Sequence, residues 1–390
     1  MSTPRRQGPL DDLTIIDCTM AYAGPFGTAL LADLGANVIK VEPPTGDTFR
    51  ALPPHPPDYG HAAGGADAGA DYGMAFAGVN RNKRSVCLDL KQSADAEALL
   101  RLCERADAVV ENMRAGVMDD LGLGYEVIAA RNPRIVYATV RGFGDDRTGA
   151  SPYGAWPCLD TAGQAMGGLV EATGDLYEIA IADIYPGTLM ALGLVSAVHR
   201  ARQTGTGDFV DVAMYDSALT LLRSHVPAYA LTGRERRPGH RALVPFGLFP
   251  ATDGQFAIAA PVERHWQLLC EAMQRPDLVT DERTRTNPKR AANRDFTEGE
   301  IAAWTATRSK PDRALPTTAP PWRAHRRSPR RVRRRPPRRR EPGRLIHTAR
   351  NGRRSRRRSG GRRWVARCWR RAGRRRPSGR GRRPCRAQNQ

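Results

Sequence analysis

LTIIDCTMAYAGPFGTALLADLGANVIKVE, residues 13–42, sets two short β-branched runs on either side of a helical span. The first run is centred on Ile15-Ile16 and the second on Val38-Ile39, and between them Phe26–Leu34 has helical spacing behind a Gly24-Pro25 turn. Two strands separated by a helix pair in parallel through a crossover, because a hairpin needs only a tight turn. The same alternation continues outward. Strands are predicted at Leu13–Asp17, Asn37–Val41, Val86–Leu88, Ala108–Glu111 and Ile135–Val140, with helices at Phe26–Leu34, Ala94–Arg105 and Tyr125–Arg131. The fold class is therefore α/β, an open Rossmann-like doubly wound sheet. No GxGxxG follows the first strand, so the standard dinucleotide fingerprint is missing.

From Asp160 the pattern shifts to longer helices, predicted over Asp160–Val170, Tyr185–Gln203 and Met214–Leu231, with a strand at Phe209–Val212. Apolar alternation at Phe246–Pro250 and Phe256–Ala260 and an amphipathic helix at Glu263–Met273 suggest a smaller α+β domain. Polar Asp277–Arg294, with Pro288, reads as a loop or connector. Three regions result: a large α/β domain over residues 1–200, linker helices with the small domain over 201–312, and a tail over 313–390.

The tail has a different composition from the rest. Its 78 residues hold 31 Arg and one acidic residue, Glu341, with no Lys, Asp, Phe, Tyr or Met, leaving 31 Lys+Arg against 39 Asp+Glu before it. The overall charge of +22 thus averages a mildly acidic body with a strongly basic end. Without apolar periodicity, this Arg/Pro-rich segment is expected to be disordered. One reading makes it a basic arm that binds nucleic acid non-specifically through phosphates. The preferred reading is a GC-rich frame translated out of register, since CGN codons give Arg where AAR codons would give Lys. Assigning Leu315–Trp322 the codons CTG-CCG-ACC-ACG-GCG-CCC-CCG-TGG and starting two nucleotides later yields Ala-Asp-His-Gly-Ala-Pro-Val, an ordinary helix-end and strand sequence.

The polar start, Met1–Asp12, has no h-region of a secretory signal, and the apolar helical run Leu189–Val198 is too short to span a bilayer. Seven scattered cysteines show no paired metal-ligand spacing, and those of the body are read as reduced and largely buried. A cytoplasmic protein without a metal site or membrane partner is expected.

Three stretches carry candidate chemistry. Ala21-Tyr22-Ala23-Gly24-Pro25-Phe26-Gly27 opens the first helix, where free N–H groups favour an anion. Asn80-Arg81-Asn82-Lys83-Arg84-Ser85 places a basic cluster before the third strand, suited to phosphates or simply to solvent. Glu111-Asn112-Met113-Arg114-Ala115-Gly116 follows the fourth strand, and Leu121-Gly122-Leu123-Gly124-Tyr125 lies just beyond it. Taken with Gly35-Ala36-Asn37-Val38-Ile39-Lys40-Val41-Glu42, their order and spacing resemble the family III CoA-transferases. That group includes formyl-CoA and carnitine CoA-transferases and the α-methylacyl-CoA racemases. The resemblance runs from about Leu10 to Trp304.

The resemblance implies coenzyme A or an acyl-CoA as substrate, with no permanently bound cofactor, and a carboxylic acid as the second substrate. It places the basic turn with Asn82, Lys83 and Arg84, together with Arg114, toward the adenosine phosphates and the pantetheine toward the Gly24-Pro25 turn, and it counts Tyr22, Ala23, Asn112 and Met113 among the residues that bind coenzyme A. It makes Asp183, in Ala182-Asp183-Ile184-Tyr185-Pro186-Gly187, the catalytic nucleophile and Asp160 a second catalytic acid. Either acid has a plain alternative as a helix cap. A carboxylate suits the reaction, because it can form a mixed anhydride with an acyl group and then an aspartyl thioester with CoA. The family also implies an interlocked homodimer when the C-terminus is intact.

Departures narrow the substrate. Tyr22 stands where the formyl-CoA subgroup carries glutamine, and Arg237-Pro238-Gly239-His240-Arg241 and Val244-Pro245-Phe246-Gly247 replace its glycine-run loop, so the formyl/oxalate pair is not expected. The racemases carry His immediately before the acid matched by Asp160, where this chain has Leu159, and transfer is preferred over racemisation.

Overall fold

The computed structural model describes residues 8–55, 72–233 and 242–309, and the backbone of Trp322–His325. Six parallel strands form the main sheet: β1 (Thr14–Asp17), β2 (Asn37–Glu42), β3 (Arg84–Cys87), β4 (Ala108–Glu111), β5 (Val136–Arg141) and β6 (Asp208–Ala213). Their order is β3-β2-β1-β4-β5-β6, so the chain runs out to one edge and then restarts on the other side of β1. That reversal opens a crevice between the carboxyl ends of β1 and β4, the usual ligand position in such sheets. The sixth strand lies beyond residue 200. The first sheet therefore draws on chain from both sides of the boundary placed at residue 200, because the helix-rich stretch after Asp160 covers the sheet before the chain rejoins it.

Both faces are buried, which is why the strands are nearly continuous apolar runs. With side chains alternating along each strand, Ile15, Val110, Val136, Ala138 and Val140 face one cluster, while Ile16, Val109 and Tyr137 face the other. On the first face lie α1 (Ala23–Asp33) and a later 24-residue helix, Ile181–Thr204, with Leu31, Met190, Leu194 and Val198 in the core. After α2 (Met74–Asn80), the second face is covered by α3 (Ser93–Cys103), α4 (Val117–Asp120) and α5 (Tyr125–Arg131), through Leu99, Met118 and Ile128.

Several helices differ from expectation. The span Asp160–Val170 divides into α6 (Asp160–Met166) and α7 (Leu169–Thr173), broken where Gly168 turns to a φ of +77°. The long helix α8 (Ile181–Thr204) begins before Tyr185 and, by length and apolarity, reaches what a membrane span requires, contrary to the shorter run read from sequence. It packs on α1, β5 and β6 and on α9 (Met214–Leu221), which α10 (His225–Thr232) follows as a separate helix.

The second sheet is antiparallel, β7 (Phe246–Ala251) against β8 (Gly254–Ala259), with Phe249, Phe256 and Ile258 packed on Trp266 and Leu269 of α11 (Glu263–Ala272). The expected connector Asp277–Arg294 instead holds α12 (Asp277–Thr280) and α13 (Asn287–Ala292) and runs into α14 (Arg294–Ala306). Thr286 explains the miss: its side chain accepts a bond from the Lys289 N–H, making Thr286-Asn287-Pro288 a helix start and not a break. Trp322–His325, within the segment expected to be disordered, forms β9, which pairs antiparallel with the side of β8 that β7 leaves open. The rest of the tail, with the readings placed on it, lies outside the described residues, as does His240.

Candidate active site

At the end of β1, the Asp17 carboxylate is completely buried and fixes the turn that follows. It accepts from the Thr19 N–H at 3.0 Å, from the Thr28 hydroxyl at 2.7 Å and from Lys83 Nζ at 2.8 Å. Burial alone would raise its pKa, but Lys83 and Lys40 outweigh that and hold the carboxyl far below the usual range. Lys83 falls to about 8 because burial outweighs the attraction of Asp17. Its remaining protons go to the Pro25 carbonyl and Asn80 Oδ1, both at 2.9 Å. The lysine expected to meet CoA phosphates is thus a buried tie between β3 and the start of α1. The flanking residues are likewise engaged elsewhere: Asn82 bonds Asp33 at the end of α1, and Arg84 bonds Asn37 at the start of β2. The Asn82 and Arg84 side chains thus turn to the amino end of the sheet, whereas the Lys83 ammonium is buried under the turn at the carboxyl end of β1.

The other predicted contacts do converge. Tyr22 precedes α1 and stacks on Phe26, with Phe49 edge-on, while Ala23, Gly24 and Pro25 are buried. A Cβ on Gly24 would stand 2.4 Å from Thr19 Cγ2, so only glycine lets the helix start lie on this turn. Across the crevice, Asn112 accepts from the Met20 N–H and donates to the Met20 carbonyl, each at 2.8 Å. This reciprocal pair joins the loops after β1 and β4 at the point where the strand order reverses. Met113 donates its N–H to Glu111, and Arg114 is exposed beside it with no ion pair among the described residues.

The acidic centre is built by α6 and α8. Gly27 and Gly187 bring α1 and α8 into backbone contact, since a Cβ on Gly187 would lie 2.3 Å from the Ala23 carbonyl oxygen. Asp183 is four residues before Gly187, hence on the same face one turn earlier, toward the Tyr22 turn at the carboxyl edge of the sheet. Its half-buried carboxylate receives no hydrogen bond among the described residues. Burial, and then the neighbouring Asp160, push its pKa up to about 7. The same surroundings raise the Cys158 thiol to about 11. Asp160 does not cap its own helix: its Oδ1 accepts the Ala182 N–H of α8 at 2.8 Å, and its Oδ2 accepts Gln164 Nε2 at 2.7 Å. Asp160→Asn should therefore lower the Asp183 pKa by about one unit, as removal of an adjacent like charge does. Carboxyl-carbon NMR titration would measure it, and an unmoved midpoint would refute the electrostatic link.

The structure adds residues that sequence reading missed. Gln164 is one; its spacing of four from Asp160 on a helix was a usable signal. Arg141, ending β5, pairs with Glu111, ending β4, at 2.5 Å and with Asp145, forming a buried wall beside the crevice. Strand neighbours of this kind are not visible without the pairing order.

Comparison with known proteins decides the family. The model of CoA-transferase family III matches residues 10–315.

The chain belongs to the family III CoA-transferases.

This CoA-transferase is 44% identical over 309 residues to the succinyl-CoA:mesaconate CoA-transferase of Haloarcula hispanica, covering 77% of this chain and 76% of that protein. It is 38% identical to the acetyl-CoA:oxalate CoA-transferase of Acetobacter aceti, over 75% of this chain and 74% of the relative. Among solved structures, a CAIB/BAIF family protein from Brucella suis matches with a TM-score of 0.67 at 30% identity, covering 78% of this chain and 80% of the other. Acyl-CoA and carboxylate substrates fit this family.

Proposed function

We propose that this CoA-transferase moves coenzyme A from succinyl-CoA to a small dicarboxylic acid, with Asp183 as the covalent carrier. The supporting observation is a half-buried carboxylate, free of donors among the described residues, set at the carboxyl edge beside the switch crevice. An ionised Asp183 oxygen attacks the thioester carbonyl carbon, the C–S bond breaks, and CoA leaves as thiolate, giving a mixed anhydride. The thiolate then attacks Asp183 Cγ and expels the donor acid, leaving an aspartyl-CoA thioester. The acceptor carboxylate attacks Cγ and releases CoA thiolate, which attacks the acceptor's acyl carbon. New acyl-CoA departs and Asp183 is regenerated, with no water consumed and no net redox change. Proton abstraction, the racemase alternative, is less well served, because Leu159 is exposed and both Asp160 oxygens are already engaged. The choice of succinyl-CoA and a dicarboxylate rests on likeness to the mesaconate enzyme.

Mass spectrometry of protein treated with succinyl-CoA, followed by hydroxylamine, tests the carrier. The expected result is a hydroxamate at Asp183; modification elsewhere, or none, would sink the mechanism. Arg114, exposed where the loop after β4 borders the crevice, is proposed to meet the CoA phosphates. Arg114→Ala should raise KM for succinyl-CoA about tenfold with kcat little changed, since a remote charged contact contributes about 1.4 kcal/mol of uniform binding. Steady-state kinetics would show it, and a fall in kcat at constant KM would oppose it. Exposed Leu159, Ile179 and Leu192 support a homodimer, which light scattering would test. We also infer an out-of-frame tail: the family match stops at residue 315, close to the composition break at 313. The coding DNA around codons 305–325 decides it, an intact frame there removing the inference.

A further inference from the structure

Gln164 is completely buried in α6, and its amide uses both ends. Its Oε1 accepts the Tyr177 N–H at 2.8 Å, and its Nε2 donates to the Tyr177 carbonyl at 3.2 Å and to Asp160 Oδ2 at 2.7 Å. The Tyr177 N–H can only donate, so the amide oxygen must face it and the NH2 must face Asp160. The orientation of Gln164 is thereby determined by backbone chemistry. Asp160 passes the constraint on, because its second oxygen holds the Ala182 N–H, one of the free donors in the first turn of α8, next to Asp183. A continuous chain links Tyr177, Gln164, Asp160 and Ala182, tying the segment that enters α8 to the reactive carboxylate.

We propose that Gln164 is a positioning residue of the transfer reaction: it holds Asp160 as a hydrogen-bond acceptor and so fixes the first turn of α8 on which Asp183 stands. This rests on Asp183 being the covalent carrier. The titratable groups facing the cluster are Asp160 from α6, Asp183 from α8 and Cys158 from the segment before α6. The helices α7 and α9 pack around it through the apolar Leu169, Met214 and Ala218. With Oδ1 on the Ala182 N–H, Asp160 Oδ2 has one donor among the described residues, the Gln164 amide. Glutamate at 164 would keep the oxygen for Tyr177 and, while protonated, an O–H for Asp160. Two carboxyls that close share one proton until pH rises far enough to remove it, after which they repel.

The test compares Gln164→Leu and Gln164→Glu with the unmodified protein by steady-state and single-turnover kinetics with succinyl-CoA between pH 6 and 8.5. Gln164→Leu should lose about 10- to 100-fold in kcat at every pH with KM for succinyl-CoA changed less than about threefold, the size of effect that misplacing a reacting group produces. Gln164→Glu should stay within about threefold of the unmodified kcat at pH 6 and lose at least about tenfold more by pH 8.5, a pattern that mere loss of packing would not produce. Near-UV circular dichroism checks folding, and if Gln164→Leu does not fold, Gln164→Glu decides alone. Aspartyl-CoA forming at Asp183 at the unmodified rate in both variants, with an unchanged pH profile, overturns the proposal. Absence of the adduct in the unmodified protein instead removes the carrier reading beneath it.

Discussion

Asp183→Ala should reduce CoA transfer by at least about four orders of magnitude, the loss that follows removal of a covalent nucleophile. Binding of succinyl-CoA should persist, because the contacts proposed for its phosphates and pantetheine lie on other residues; isothermal titration against kcat separates the two. Retention of more than about a hundredth of the activity would exclude Asp183 as carrier. The pH dependence follows from the same residue. Its pKa of about 7 means that the nucleophilic form is gained as pH rises through neutrality, so single-turnover formation of the adduct should climb from pH 6 to 8. Stability runs the other way. A folded-state pKa raised above the unfolded one contributes stability below the unfolded value, and this is lost as pH rises through the folded pKa. Asp183→Asn should therefore be inactive yet more stable than the unmodified protein above pH 8, by about 2 to 4 kcal/mol, with the gain gone below pH 4. Urea denaturation at the two pH values provides the comparison.

The second large effect is expected at Gly187, where a methyl group has nowhere to go. Its Cβ would meet the Ala23 oxygen at 2.3 Å and the Gly27 nitrogen at 3.3 Å, both backbone atoms that cannot turn aside. Gly187→Ala must push α8 from α1, costing about 3 kcal/mol or more, at the upper end for overpacked sites. That corresponds to a fall in Tm of about 6 to 12 °C in a domain of this size. Because Asp183 sits one turn away, kcat should fall at least about tenfold even at temperatures where the variant is folded. Gly299→Ala is the control: it is inside α14 with nothing within 4 Å of the added Cβ, and should leave stability unchanged or slightly higher. Equal Tm for the two variants would refute the packing argument.

Much of this architecture was legible in residues 13–42 and their repeats, because parallel strands buried on both faces must be short, apolar and separated by crossover helices. Helix breaks were harder to see. Gly168 and the Thr286-Asn287-Pro288 start act through single backbone angles and one side-chain bond, signals too local to stand out against apolar periodicity. The site divided along the same line. Tyr22–Pro25 and Asn112–Arg114 follow strands β1 and β4, so their sequence positions already implied the carboxyl edge. Lys83 looked similar on paper, but its ammonium is consumed by buried contacts with Asp17, Pro25 and Asn80.

By itself, the sequence determined the fold class through its strand patterning, and its motifs carried the family resemblance that makes Asp183 the candidate nucleophile. Only the tertiary structure decided which charges are free to act. Lys83 and Asp160 are both committed to internal partners, while Asp183 is left without a donor among the described residues and raised to about 7 by burial and by Asp160. Burial and charge proximity depend on segments brought together from far along the chain, and neither has any signature in the order of residues.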